Sequence, residues 1–223
     1  MSLELTRKTS RLRLAPGLAG VHLTPDEFDR ATTGRGNRYE LIGGVLVVSP
    51  HPGNGEVDPN EFLGFLLMSH KRNHPQGSAI DKALPEQTIP VGDDRRRMDR
   101  AIWVGLGRTP DPRVDVPAIA VEFVSRSRRD IRRDYEIKRD EYLAIGVREY
   151  WIIDRYRRTM TVHRRDGDRT LTKVVTEGQS HETDLLPGFV LPLAELLKLA
   201  DDWAPPAKPL AAPEPETPPA EDA

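Results

Sequence analysis

Apolar and polar positions recur with readable periods along most of the chain, and glycine- or proline-rich breaks separate the runs. Thr24-Pro25-Asp26-Glu27 has the capping-box pattern with proline at the first helical position, so a short helix is predicted to follow. Tyr39–Ile42 and Val45–Ser49 flank Gly43-Gly44, a hairpin signal. Asp58-Pro59-Asn60-Glu61 reads as the cap of a second helix to about His70, with Phe62, Phe65 and Leu66 on its apolar stripe. Glu86–Val91, Asp99–Gly105 and Ala118–Val124 read as strands. Asp130–Ile145 reads as a helix, because Ile131, Tyr135, Lys138, Tyr142 and Ile145 recur on one stripe. Glu149–Asp154 reads as a buried strand, and Thr159–Arg164 with Thr170–Thr176 as a hairpin through Asp166-Gly167. No internal repeat is visible. Strands in groups, with helices between the groups, predict a mixed α/β fold: one central sheet flanked by helices.

Composition adds boundaries. The chain has 223 residues, enough for one domain with a real core. Residues 204–223 hold seven prolines, four acidic residues and no aromatic residue, which predicts a disordered acidic tail. Residues 1–20 are expected to be loosely ordered, leaving 21–203 as the folded domain, with regular structure from Thr24. No apolar run is long enough to span a membrane, and the N-terminus has no signal-peptide core, so a cytoplasmic protein is expected. There is no cysteine, which excludes disulfides and thiolate metal sites. The formal net charge of −2 does not by itself point to nucleic acid.

Three charged residues sit where apolar ones belong. Six of the seven residues of Ala118–Val124 are apolar, and Glu122 is the exception. A carboxylate inside a strand covered on both faces is costly unless paired or bound to a cation. Asp99 stands at the head of the preceding strand-like run; alone it reads as a solvated strand end. Two carboxylates brought together by neighbouring strands repel unless a cation separates them, and Mg²⁺ uses one or two carboxylates plus water and phosphate. Lys138 occupies the centre of an apolar helix stripe. Its stem could simply snorkel to solvent; the alternative is an ammonium facing the two acids.

The chain resembles the Uma-two family of endonucleases, within the restriction-endonuclease-like PD-(D/E)XK superfamily. The resemblance rests on Tyr39-Glu40-Leu41-Ile42-Gly43-Gly44, Met98-Asp99-Arg100, Ala120–Ser125 and above all Lys138–Asp154, and spans roughly Leu23 to Pro192. It implies a restriction-endonuclease-like fold and a divalent-metal nuclease site acting on DNA, with Mg²⁺ or Mn²⁺ held by Asp99 and Glu122. The superfamily usually has a lysine two residues after the second acid, where this chain has Val124. The resemblance therefore assigns the lysine role to Lys138. It also matches Glu40 to a family glutamate, an accessory ligand or orienting acid, against the plainer reading of a strand-edge salt bridge. Met98 replaces a usual proline, Gly43 a frequent aspartate, and Ser125-Arg126-Ser127 a usual Ser-Pro-Ser.

Arginines crowd these motifs. Arg97, Arg100, Arg126, Arg128 and Arg129 are the expected nucleic-acid contacts, since phosphate-facing guanidinium groups suit a polyanion. DNA is the expected partner, no membrane is expected, and a homodimer is left open. The rival reading is a nuclease-like fold that binds nucleic acid or protein without cutting. His70 and His74 lack the context of a zinc pair. Neither Gly105-Leu106-Gly107 nor Gly34-Arg35-Gly36 completes a dinucleotide motif.

Overall fold

The computed structural model describes residues 11–125, 133–167 and 169–203. The expected acidic tail, the first ten residues and Arg126, Arg128 and Arg129 lie outside them. One eight-stranded sheet organises the chain. Its strands are β3 (Asn37–Ile42), β4 (Val45–Pro50), β5 (Ile80–Val91), β6 (Asp94–Val104), β7 (Ile119–Phe123), β8 (Glu149–Asp154), β9 (Thr159–Asp166) and β10 (Arg169–Thr176). The spatial order is β10-β9-β8-β7-β6-β3-β4, with β5 also on β6. Within this sheet only the β7–β8 pair is parallel, so the sheet is mixed, as expected. Two short pairs lie outside it: β1 (Arg13–Leu14) with β2 (Thr32–Thr33), and β11 (Ser180–His181) with β12 (Leu191–Pro192).

Helices cover both faces. α2 (Asn54–Asn73) and α4 (Leu193–Asp201) pack on one side, where Leu63, Leu67, Leu193, Leu196 and Leu197 meet Ile119, Val121, Phe123, Trp151 and Ile153. α3 (Lys138–Ala144) crosses the other side between the parallel strands, and Tyr142 meets Ala120, Tyr150 and Ile152 there. The period of two does the sorting: odd positions of β7 and β8 face α2 and α4, even positions face α3. Glu122 is an even position, so it points at α3. α1 (Pro25–Arg30), begun by the predicted capping box on Thr24 and Glu27, closes a third cluster of Leu14, Phe28, Tyr39, Leu41 and Leu46.

Several elements depart from the sequence reading. α2 starts four residues before Asp58, carries Pro59 inside it, and buries Gly55, Pro59, Asn60, Leu63 and Leu67. Phe65 is 63% exposed, so the stripe drawn through it is displaced. The early start follows from packing: an added Cβ on Gly55 would lie 1.7 Å from the Arg155 guanidinium, so this turn is pressed against the domain. β5 begins at Ile80, six residues before Glu86, and β6 at Asp94, so Asp99 lies mid-strand and not at its head. Of the helix expected over Asp130–Ile145, the described residues show a π-helical turn at 133–137 followed by α3, and 130–132 lie outside them. α4 was not anticipated. Within the stretch expected to be loosely ordered, β1 pairs with β2 and buries Leu14. Among the described residues, no helix is long and apolar enough to cross a membrane.

Glu149, at the first position of β8, is buried at the end of the sheet. Its carboxylate accepts Thr183 Oγ1 at 2.7 Å and Trp151 Nε1 at 2.9 Å, with His181 Nε2 3.9 Å away. Burial alone would raise its pKa; His181, Thr183 and Trp151 together outweigh burial and hold it below the ordinary 4.5. A lowered carboxylate pKa contributes stability that is complete above the ordinary value and is lost as pH falls through the lowered one. Denaturation followed from pH 6 downwards should therefore show wild type losing stability below about pH 4.5 more steeply than Glu149→Gln, which cannot titrate. Parallel curves would contradict this account.

Candidate active site

A strand has two hydrogen-bonding edges. β5 pairs β6 from Val104 back to Asp94 and fills one edge. β3 and β7 must then share the other: β3 pairs at Arg95, β7 at Arg100–Ile102. Between them the edge opens into a fork around Arg96–Asp99. The Arg97 N–H faces this opening without a strand partner and donates to Glu40 Oε1 of β3 at 3.1 Å.

Asp99 sits at the throat of the fork, 4% exposed. Arg100 pairs Val121, so one more step of the register would set Asp99 against Glu122. The ladder ends there instead, and Asp99 Oδ2 accepts the Phe123 N–H at 2.7 Å. The other side of β6 is irregular at the same level. Met98 and Ala101 both join the cluster under α3 although three residues apart, as do Leu84 and Ile89 at five. Strict alternation forbids both, so β5 and β6 kink together at Glu86 and Asp99. Glu86 takes φ 56°, a left-handed conformation that costs a non-glycine residue about 1–2 kcal/mol. Its carboxylate binds Arg38 and, at 2.8 Å, Arg97 Nε.

Glu122 faces α3 with 3% exposure. Lys138 Nζ lies 2.8 Å from Glu122 Oε1 and also donates to the Arg97 carbonyl at 3.3 Å. Tyr142, one turn further along α3, donates to the same Glu122 oxygen at 3.1 Å. Burial, then Glu122, pushes the Tyr142 pKa well above its ordinary value, so it stays a donor. Lys138 is buried between helix and sheet and does not snorkel. Val124, at the usual lysine position, is packed in the cluster under α3. Arg96 fastens the helix with Nε 2.7 Å from Glu141 Oε2.

Arg38 was not singled out in the sequence. Its Nη2 lies 2.5 Å from Asp99 Oδ1. Burial works against its charge, but Asp99, Glu86 and Glu122 outweigh burial and raise its pKa. The available signal was Arg38-x-Glu40, two charges on one face of a strand. Glu86 gave none, because its role comes from the kink. His51, Asn60 and Glu61 join Arg38, Glu86 and Asp99 around a cleft of about 130 Å³. Arg100, expected to touch nucleic acid, is instead 2% exposed beneath α2. Its Nε meets Asn60 Oδ1 at 2.7 Å, and burial pulls its pKa down to about 10. Arg97 stays at the fork, half-buried. His70 and His74 stack at 4.6 Å, a packing arrangement.

The fork thus gathers Glu40, Glu86, Asp99 and Glu122 against Arg38, Arg97 and Lys138. Among the described residues, no set of three or more His, Asp or Glu converges as a metal site. A hard divalent cation needs only one or two carboxylates, with water and phosphate completing its shell. Asp99 and Glu122, buried on neighbouring strands and both acting on the Arg38 guanidinium, fit that requirement.

The family model Uma2, described as "Putative restriction endonuclease", matches residues 25–194. Comparison with curated proteins gave no match. Among solved structures, the crystal structure of "a putative nuclease belonging to DUF820" from Anabaena variabilis ATCC 29413 is similar, with a TM-score of 0.64 and 17% identity over 80% of this chain and 99% of that one. At that identity the likeness is one of fold. The family match covers most of the chain and contains every residue of the fork, so the chain belongs to the Uma2 family.

Proposed function

We propose that the chain is a metal-dependent endonuclease that hydrolyses phosphodiester bonds in DNA. The observation that carries this reading is that two buried acids on neighbouring strands, Asp99 and Glu122, both act on the Arg38 guanidinium, with Lys138 held on Glu122. Asp99 and Glu122 would hold Mg²⁺ or Mn²⁺, which when bound lowers the pKa of its water and polarises a phosphoryl oxygen. Lys138 keeps a positive charge beside Glu122, where it stabilises the charge that builds on the phosphoryl oxygens in the transition state. Tyr142 and the Arg97 carbonyl fix the Glu122–Lys138 pair in place. Glu40 orients the open edge of β6 through the Arg97 N–H. Arg38 binds the Asp99 carboxylate and offers a guanidinium to an incoming phosphate.

The rival reading, a nuclease-like fold that binds without cutting, is favoured by one observation: Arg38 and Lys138 already neutralise both acids. Calorimetric titration with Mn²⁺ and cleavage of plasmid DNA separate the two. The nuclease reading expects heat of binding and strand cleavage that EDTA abolishes. Neither signal, across Mg²⁺ and Mn²⁺ and across single- and double-stranded DNA, would establish the rival.

A further inference from the structure

On the side of the sheet away from α3 lies a second cavity, of about 210 Å³. Arg96 turns toward Glu141 on α3, so its neighbours Arg95 and Arg97 project to this opposite side. Arg95 is fixed by Asp29 of α1, with Nη2 2.7 Å from Oδ2. The Arg97 Nε is held by Glu86. Arg113, from the loop after β6, is exposed at the wall, and no described residue pairs with its guanidinium. With Arg95 on Asp29 and Arg97 on Glu86, the exposed Arg113 guanidinium leaves the lining with a net positive charge. Phe28 and Tyr39 make its floor apolar.

Tyr39 supplies the independent observation. Its side chain is 2% exposed, and its hydroxyl has no hydrogen-bond partner. A buried hydroxyl without a partner is costly, and native structures satisfy such groups or reserve them for a ligand. The pattern of cationic wall, apolar floor and waiting hydroxyl matches a phosphate joined to a ring with polar edges. An inorganic anion would use the wall alone. Arg97 is two residues before Asp99 on β6, so the cavity adjoins the fork.

We propose that this cavity binds one nucleotide of the substrate strand beside the scissile bond, with its phosphate on Arg97 and Arg113 and a polar edge of its base or sugar on the Tyr39 hydroxyl. The assignment rests on the nuclease reading for its biological sense, but it is tested by binding alone. The guanidinium pair gives charge-assisted bonds that do not depend on sequence. The ring floor adds stacking that any base can use.

The test is calorimetry on the full chain in EDTA, titrating each of the four deoxynucleoside 5′-monophosphates, inorganic phosphate and the free nucleosides. The monophosphates should bind at least about 10-fold more tightly than either phosphate or nucleoside. Arg113→Ala, at an exposed position, and Tyr39→Phe, checked for folding by its melting curve, should each weaken monophosphate binding by about 10-fold. Equal affinity for inorganic phosphate, or unaltered binding in both cavity variants, would each overturn the assignment. Because no metal or cleavage is needed, a protein that binds the monophosphates at the cavity yet cuts nothing would sink the nuclease reading and leave the cavity standing.

Discussion

Glu122→Gln is expected to abolish cleavage and to lower stability by roughly 3–5 kcal/mol, because it leaves the buried Lys138 ammonium without its carboxylate. Either effect alone would be ambiguous, since a poorly folded enzyme is also inactive. The second substitution resolves this. Lys138→Met, added to Glu122→Gln, removes the buried charge that has lost Glu122 and keeps much of the lysine stem's packing. Stability should recover most of the way to wild type while cleavage stays lost. Urea denaturation and plasmid cleavage on wild type, both single variants and the double variant give the answer. A stable double variant that cuts like wild type would end the assignment of Glu122 and Lys138 to chemistry.

Asp99→Asn should separate activity from folding more cleanly. Asparagine keeps an oxygen for the Phe123 N–H and a shape that fits the throat, and Arg38 keeps Glu86 as its anion. The fold should survive with little loss, while cleavage falls by at least about 100-fold as the anionic ligand disappears. Asp99→Ala should lose the same activity and in addition about 1–3 kcal/mol, because the Phe123 N–H is left buried without an acceptor. Thermal melts beside cleavage rates distinguish the pair. Equal stability of the two variants would mean that the 2.7 Å bond to Phe123 contributes nothing to the fold.

Much of this arrangement was legible in the chain because two periods intersect at it. The period of two in β7 left Glu122 as the single polar position of an apolar strand, and the helical period left Lys138 as the single charge on an apolar stripe. Each anomaly pointed at the other, and the resemblance supplied the pairing with Asp99. What stayed hidden depends on register and on irregular backbone. Arg100 and Arg97 look equivalent in Arg95–Arg100, yet the kink at Asp99 sends one beneath α2 and leaves the other at the fork. Glu86 matters only because β5 and β6 bend together. The start of α2 was misread because Asp58-Pro59 is a strong local cap, and the packing of Gly55 against Arg155 overrides it. α4 went unread although Leu193, Leu196 and Leu197 give it a clear stripe.

Delivering the ammonium from α3, and not from β7 itself, divides one ionic pair between two separately formed pieces of chain. A lysine on β7 would arrive with its acid as soon as the sheet forms. Here Glu122 is buried on the sheet without its Lys138 partner until α3 is in place. A sheet assembled without α3 would expose Tyr150 and Ile152 and strand a carboxylate at their edge. The partly built form is therefore penalised twice, by solvent at the apolar surface and by the missing ion pair with Lys138. Completion of the fold and completion of the Glu122–Lys138 pair become a single event, so that no half-assembled chain carries the finished site.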